Sequence, residues 1–231
     1  MKIGIFADAH YSSKEVVDGN RYNKQSLRKI KEAYEFFEEE GCKLVISLGD
    51  LIEGDDDHAL EVNNLKEIAE IISASPIPTV CLMGNHDAFT FGKKEYYSTL
   101  GIGEARDLNI GDKSFIFLDA CFHASGERYT TGGVDWRDCY LPDTEELSEV
   151  LESLSEDSYV FIHHNIDPAL PEEYKLSNCD EVFAMISSTP LVKAVFQGHY
   201  HPGKISEYDG VKYYALPAMC EGEDRAFVFD L

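Results

Sequence analysis

Thr79-Val80-Cys81-Leu82-Met83 runs without a break into Gly84-Asn85-His86-Asp87. Five uncharged, mostly apolar residues read as a short buried strand. The four that follow read as its end. Glycine, asparagine and aspartate are ordinary turn residues, yet here they also set an amide, an imidazole and a carboxylate side by side. An amide oxygen can join a cation's shell, an imidazole can donate a proton to an anion, and a carboxylate can orient the imidazole.

The same grammar recurs outward from this stretch. Ile3-Gly4-Ile5-Phe6-Ala7 ends on Asp8-Ala9-His10, and Leu44-Val45-Ile46-Ser47-Leu48 ends on Gly49-Asp50. Tyr159-Val160-Phe161-Ile162 ends on His163-His164-Asn165, and the run from Leu191 to Gln197 ends on Gly198-His199-Tyr200-His201. Helical spacing fills the intervals. Leu27, Ile30, Tyr34 and Phe37 predict a helix within 23–40, closed by Gly41. Asp55-Asp56-Asp57 offers an N-cap for a helix that buries Leu65, Ile68, Ala69 and Ile72 and stops at Pro76 and Pro78. Further helices are predicted after Pro142 (Leu147, Val150, Leu151, Leu154) and over 179–187 (Val182, Phe183, Ile186). Buried strands alternating with helices argue for parallel pairing and an α/β layered fold. Residues 108–119 read as a hairpin turning at Gly111-Asp112, and the tail from Lys204 as antiparallel strands. The stretch 121–140 reads as a long loop suited to walling a pocket. With no linker, composition break or repeat, one domain spanning 1–231 is expected.

Lys and Arg number 20 against 43 Asp and Glu, a formal charge of −23 that repels duplex nucleic acid and anionic membranes at long range. A small phosphate-bearing ligand would have to be captured locally. The chain enters a core-strand pattern directly after Met1-Lys2, which leaves no room for a signal peptide, and no apolar run approaches the roughly 20 residues of a membrane helix. Six scattered cysteines without a C-x-x-C pair predict reduced core thiols in a cytoplasmic protein. Oligomeric state is not legible.

Asp8, Asp50, Asn85, His163 and His199 each stand where a strand gives way to a loop, and in open α/β sheets ligands bind outside the strands' carboxyl ends. Glycine immediately precedes Asp50, Asn85 and His199, permitting tight turns or close backbone approach. Singly, each motif reads equally as a turn, a polar loop or a satisfied core histidine. Together, Asp8-x-His10, Gly49-Asp50, Gly84-Asn85-His86-Asp87, His163 and Gly198-His199-x-His201 resemble the signature of the calcineurin-like metallophosphoesterases. That resemblance implies a two-sheet β-sandwich flanked by α-helices and a dinuclear metal centre. It places Asp8, His10 and His201 on one metal and Asn85, His163 and His199 on the other, with Asp50 bridging. His164 is the alternative to His163.

Mixed imidazole and oxygen donors suit Mn, Fe, Zn or Co better than Ca or Mg, and Mn or Fe is expected, as a divalent or mixed-valence pair. Two divalent ions, two aspartates and a hydroxide leave about +1 at the centre, enough to hold phosphate within an acidic protein. The expected reaction is attack of a metal-activated hydroxide on a phosphodiester, nucleotide pyrophosphate or phosphomonoester. His86, positioned by Asp87, would stabilise phosphoryl charge or protonate the leaving oxygen. The stretch 20–27 after Tyr11 resembles the opening of the manganese-dependent ADP-ribose/CDP-alcohol diphosphatase branch, although His10 stands where that branch carries glutamine. Tyr11 and Arg21 are therefore candidate substrate contacts, Arg21 as a bidentate phosphate clamp or, alternatively, as surface at a helix start; His164, when His163 is the ligand, would contact substrate or pack behind the site. His58 reads as helix surface and His123 as loop. A catalytically silent interaction module is the alternative to an enzyme.

Overall fold

The structure is a computed structural model and describes residues 1–15, 19–129, 135–223 and 225–231. The apolar runs form the strands that their composition predicts. β1 (Lys2–Phe6), β2 (Leu44–Ser47) and β3 (Thr79–Cys81) pair in parallel, and β10 (Phe227–Asp230) adds antiparallel to β1, giving one sheet of order β10-β1-β2-β3. The second sheet contains β4 (Asp107–Ile110), β5 (Lys113–Leu118), β6 (Asp157–Ile162), β7 (Val192–Gln197), β8 (Lys204–Tyr208) and β9 (Val211–Ala215), in the order β4-β5-β6-β7-β9-β8. The 108–119 hairpin is β4 and β5, antiparallel as expected.

Because strand side chains alternate, each inner strand serves two cores. Ile3, Ile5, Leu44, Ile46 and Val80 face the other sheet, where Phe115, Phe161 and Phe196 meet them. Phe161 stacks on Phe196 with centroids 5.1 Å apart and planes 10° apart. Phe6, Val45 and Cys81 point the opposite way, toward α1 (Ser26–Glu39) and α2 (His58–Ala74), whose Ile30, Phe37, Leu65 and Ile68 complete an outer core. The result is the expected two-sheet sandwich flanked by helices. Asp57 caps α2, its side chain accepting from the Leu60 N–H at 3.1 Å. The predicted helices at 144–153 and 179–187 are α5 (Thr144–Ser153) and α6 (Cys179–Ser187). No helix among the described residues is long and apolar enough to cross a membrane.

Two short helices were not read from the sequence, α3 (Asn85–Thr90) and α4 (Lys93–Leu100). Gly84-Asn85-His86-Asp87 is therefore a helix start rather than an open turn. The tail also divides: β8 and β9 extend the second sheet, whereas β10 crosses to the first. This crossing lies beside the site, since the Met219 N–H donates to the Ala7 carbonyl at 2.9 Å and that of Cys220 to Asp8 at 3.1 Å. The carboxyl ends of β1, β2 and β3 thus open on the same rim as those of β6 and β7.

Candidate metal centre

Asp8, His10, Asp50 and His199 adopt φ of 55°, 45°, 51° and 64°, the left-handed region that costs an L-residue about 1–2 kcal/mol. Neighbouring backbone holds them there: the Asp8 N–H donates to Gly49 and that of His10 to Asp50, at 3.1 and 2.9 Å. Each left-handed residue turns the chain sharply off its strand and aims a side chain at the rim. Two of the glycines permit close approach rather than a special φ. A Cβ on Gly84 would lie 2.1 Å from Asp50 Oδ1, and one on Gly198 would lie 2.8 Å from Asp8 Oδ2.

The seven expected donors converge and are buried or nearly so. Asp50 Oδ2 lies 3.6 Å from His10 Nε2 and 3.3 Å from His163 Nε2, between the two groups of donors. His163 Nε2 is 3.2 Å from Asn85 Oδ1. On the other side, His201 Nε2 is 3.7 Å from Asp8 Oδ1 and 3.2 Å from His10 Nε2. The His199 N–H donates to both Asp8 oxygens, at 3.0 and 3.1 Å, and its own Nε2 is buried with no hydrogen-bond partner among the described residues. His163, rather than His164, meets Asp50 and Asn85. His164 is fully buried edge-on to His163, and both its ring nitrogens lack a hydrogen-bond partner among the described residues.

The outer nitrogens explain the ring orientations. His163 Nδ1 is 2.9 Å from the Leu48 carbonyl and His201 Nδ1 is 2.5 Å from Glu221 Oε1; His10 Nδ1 lies 3.3 Å from Glu53 Oε2 but makes no hydrogen bond among the described residues. A histidine whose Nδ1–H is turned to an acceptor presents the Nε2 lone pair inward, the arrangement found around bound metals. The inward nitrogens of His10 and His201 therefore face each other, and that of His163 faces Asp50 and Asn85. Imidazole nitrogens gathered on buried carboxylates are held by positive charge, a proton on His163 or a cation in its place, so the residues present fit divalent cations.

Burial and then His86 push the His10 imidazole down to about 3, which keeps it neutral. Burial works against charge on His163 too, but Asp50 and Asp8 overcome it and push that imidazole up to about 9. Burial, reinforced by His163, takes His164 down to about 3. For Glu53, burial favours the neutral acid, yet His10, His86 and Arg21 hold the carboxyl down at about 2.

Asp50, Asn85, His86, His199 and His201 open onto a pocket of about 550 Å³. Its outer wall carries Arg21, Trp136, Tyr174 and Glu221. Trp136 comes from the long loop expected to wall a pocket; residues 130–134 of that loop lie outside the described residues. Arg21 reaches the pocket with its Nη1 donating to Glu53 Oε1 at 2.9 Å.

Two expected roles are corrected. Asp87 does not orient His86. Its Oδ1 accepts from Leu51 and Ile52 N–H at 3.0 and 3.3 Å, and its Oδ2 accepts from Gly84 N–H at 3.0 Å. Consecutive helical residues point about 100° apart, so with His86 on the pocket Asp87 turns into the protein. The Glu53 carbonyl is the contact of His86 Nδ1 instead. Tyr11 is the second correction, because its hydroxyl donates to Glu67 on α2 and its ring is buried in the outer core. Beyond the left-handed turn at His10, Tyr11 bridges to Ile52 and its side chain faces away from the site.

Glu53, Glu221, Trp136 and Tyr174 were missed. Glu53 had a signal, being an isolated acid three residues after Asp50 beyond Leu51-Ile52, and Trp136 is the chain's single tryptophan. Nothing local marked Glu221 or Tyr174. His58 is exposed against Glu95, and His123 sits in its loop beside Asp138 and Tyr129.

The sequence profile of the calcineurin-like phosphoesterases matches residues 1–203. The chain is 24% identical over 184 residues to a probable cyclic nucleotide phosphodiesterase of Psychrobacter arcticus, covering 78% of this chain and 64% of that protein. It is 24% identical over 201 residues to the 3',5'-cyclic adenosine monophosphate phosphodiesterase CpdA of Haemophilus influenzae, covering 85% and 66% respectively. The chain thus spans just under two thirds of the length of these relatives. A dimetal phosphatase from Danio rerio shares the fold with a TM-score of 0.78 at 17% identity, over 95% of this chain and 88% of that one.

Proposed function

Since the chain belongs to the calcineurin-like phosphoesterase family, we propose that it is a dinuclear metal-dependent hydrolase of small phosphoesters. The cyclic nucleotide phosphodiesterases among its relatives make cyclic or other small phosphodiesters the first substrates to try. The observation that carries the reading is the convergence of imidazole nitrogens on buried Asp50 Oδ2, His163 Nε2 at 3.3 Å and His10 Nε2 at 3.6 Å. We assign Asp8, His10 and His201 to one cation, Asn85, His163 and His199 to the other, and Asp50 to both, with Mn or Fe favoured and Zn or Co compatible with the donors. Bound there, such cations supply Lewis-acid polarisation of phosphoryl oxygens and an activated water.

The chain's own residues do the rest. The outer acceptors Leu48 and Glu221 fix the His163 and His201 rings before substrate arrives. His86 is held at Nδ1 by the Glu53 carbonyl, so any proton it gives to the substrate leaves from Nε2. Its main-chain N–H donates to Asp50 Oδ1 at 2.9 Å, tying the start of α3 to the bridging carboxylate. Arg21, braced by Glu53, is placed to meet a second phosphate or a ribose. The pocket's volume suits one small ligand, and six buried free thiols fit a reducing, cytoplasmic setting.

Turnover of bis-p-nitrophenyl phosphate, p-nitrophenyl phosphate, cyclic nucleotides and ADP-ribose should appear with Mn, disappear on chelation and return on reloading. His86→Ala should keep metal and lose rate, whereas Asn85→Ala should lose metal. A metal-loaded protein inert toward the whole panel would leave the silent module as the better reading.

A further inference from the structure

One side of the pocket is aromatic, which phosphate chemistry does not require. The Trp136 ring lies 5.3 Å from Tyr174 and 5.8 Å from His199, and Tyr174 lies 5.7 Å from His199. Behind them, Tyr200 braces Tyr174 at 5.1 Å and the Arg137 guanidinium sits 5.1 Å over the indole. Neither Trp136 nor Tyr174 is buried in either core; both remain partly open to the pocket. Large rings left on the wall of a polar cavity, in a chain of charge −23, signal contact with a ligand.

Their distance from the chemistry is informative. Both rings touch His199, so a flat group resting on them would sit one ring away from the phosphoryl position over Asp50 and Asn85. A ribose bridges such a gap. We propose that Trp136 and Tyr174 form a stacking platform for the base of a nucleotide substrate and set the specificity of this site. The inference rests on the phosphoesterase reading and narrows its substrates to esters that carry a planar heteroaromatic base. Base–aromatic stacking tolerates any base, because each has a π-face. The platform therefore selects nucleotides over sugar and alkyl phosphates without choosing strongly among bases.

The test uses the chain's single tryptophan. In Mn-loaded protein, AMP should quench Trp136 fluorescence and bind at least tenfold more tightly than ribose 5-phosphate, as measured by calorimetry. Tyr174→Ala and Trp136→Ala should each weaken AMP binding by about 5- to 150-fold, and Trp136→Phe should restore most of it. In turnover, both alanine variants should lose at least fivefold more kcat/KM on 3',5'-cyclic AMP than on glycerophosphoethanolamine, chiefly through KM, with metal content unchanged. Equal binding of AMP and ribose 5-phosphate, or equal losses on the two diesters, would overturn the platform while leaving the hydrolase intact. Quenching by AMP in a protein that hydrolyses nothing would do the reverse.

Discussion

Gly84→Ala tests the centre without touching any donor. The added Cβ would stand 2.1 Å from Asp50 Oδ1, 2.7 Å from its Cγ and 2.7 Å from its backbone nitrogen. To reach an ordinary contact of 3.4 Å, Oδ1 must withdraw by about 1.3 Å. Rotation of the side chain alone does not suffice, because the backbone nitrogen is also too close. Asp50 is buried, its φ of 51° is already strained, and Oδ1 is held by the His86 N–H. Metal–ligand distances tolerate only about 0.2 Å. The displacement is several times that tolerance, and it falls on the carboxylate proposed to serve both cations.

Stability should fall by about 1–3 kcal/mol, the usual cost of overpacking, which leaves a folded protein. Metal content, measured by mass spectrometry after gel filtration, should drop from two equivalents to one or none, and turnover should drop at least 100-fold. The control is Gly92→Ala, where an added Cβ meets nothing within 4 Å, so both readouts should stay near wild type. Two retained metal equivalents with turnover within threefold of wild type would refute the reasoning, because Asp50 would then not be bound by the geometry claimed for it.

Asp87→Asn turns an amide N–H₂ toward one of the three backbone donors that the carboxylate satisfies. Chemical denaturation should show a loss of about 2–3 kcal/mol, while kcat of the metal-loaded variant stays within a few-fold of wild type; unchanged stability with a large loss of kcat would restore the orienting role. Arg21→Ala should raise KM more for ADP-ribose than for bis-p-nitrophenyl phosphate, and equal effects would remove the phosphate clamp. Burial pushes Cys139 up to about 12 and Cys179 up to about 11, and all six thiols are buried. At pH 8 none should react quickly with dithiobisnitrobenzoate in native protein and all should in denaturant, so a fast native thiol would contradict the packing.

What was legible followed from abrupt changes of polarity. Asp8, Asp50, Asn85, His163 and His199 each break a largely apolar run, and a strand's direction converts that break into a place on the rim. The helices read correctly were long enough to show a face. Lys93–Leu100 was not, since Tyr96, Tyr97 and Leu100 are its only large apolar residues in eight, and six-residue α3 has no room for a period. Neither could local pattern show that Phe227–Asp230 leaves its neighbours β8 and β9 to pair with β1, a contact more than 200 residues away. Adjacency misled twice, at Asp87 beside His86 and at Tyr11 beside His10. Neighbours on a helix point about 100° apart, and the left-handed turn at His10 sends Tyr11 toward Ile52, so a residue beside a functional one is often the residue that faces the core. Glu53 and Glu221 work the other way, reaching histidines 43 and 20 residues distant.

The left-handed residues then bear on how the centre is built. Four strained donors cost several kcal/mol together, a large fraction of the roughly 5–15 kcal/mol by which a domain is stable. A cation could hold such strain only by forming the loops as it binds, but these loops are already tied by backbone. Gly49 accepts from Asp8, Asp50 from His10, and Ala7 and Asp8 from Met219 and Cys220. Those bonds join β1, β2 and the tail that leads into β10, so the strain is supported by pairing across the sheet. The donors are thus organised by the fold before any metal arrives. Removing metal should therefore lower the melting temperature through lost binding linkage while amide exchange at Asp8, His10 and Asp50 stays slow. Fast exchange there in chelated protein would show that the cations, rather than the sheet, hold the loops.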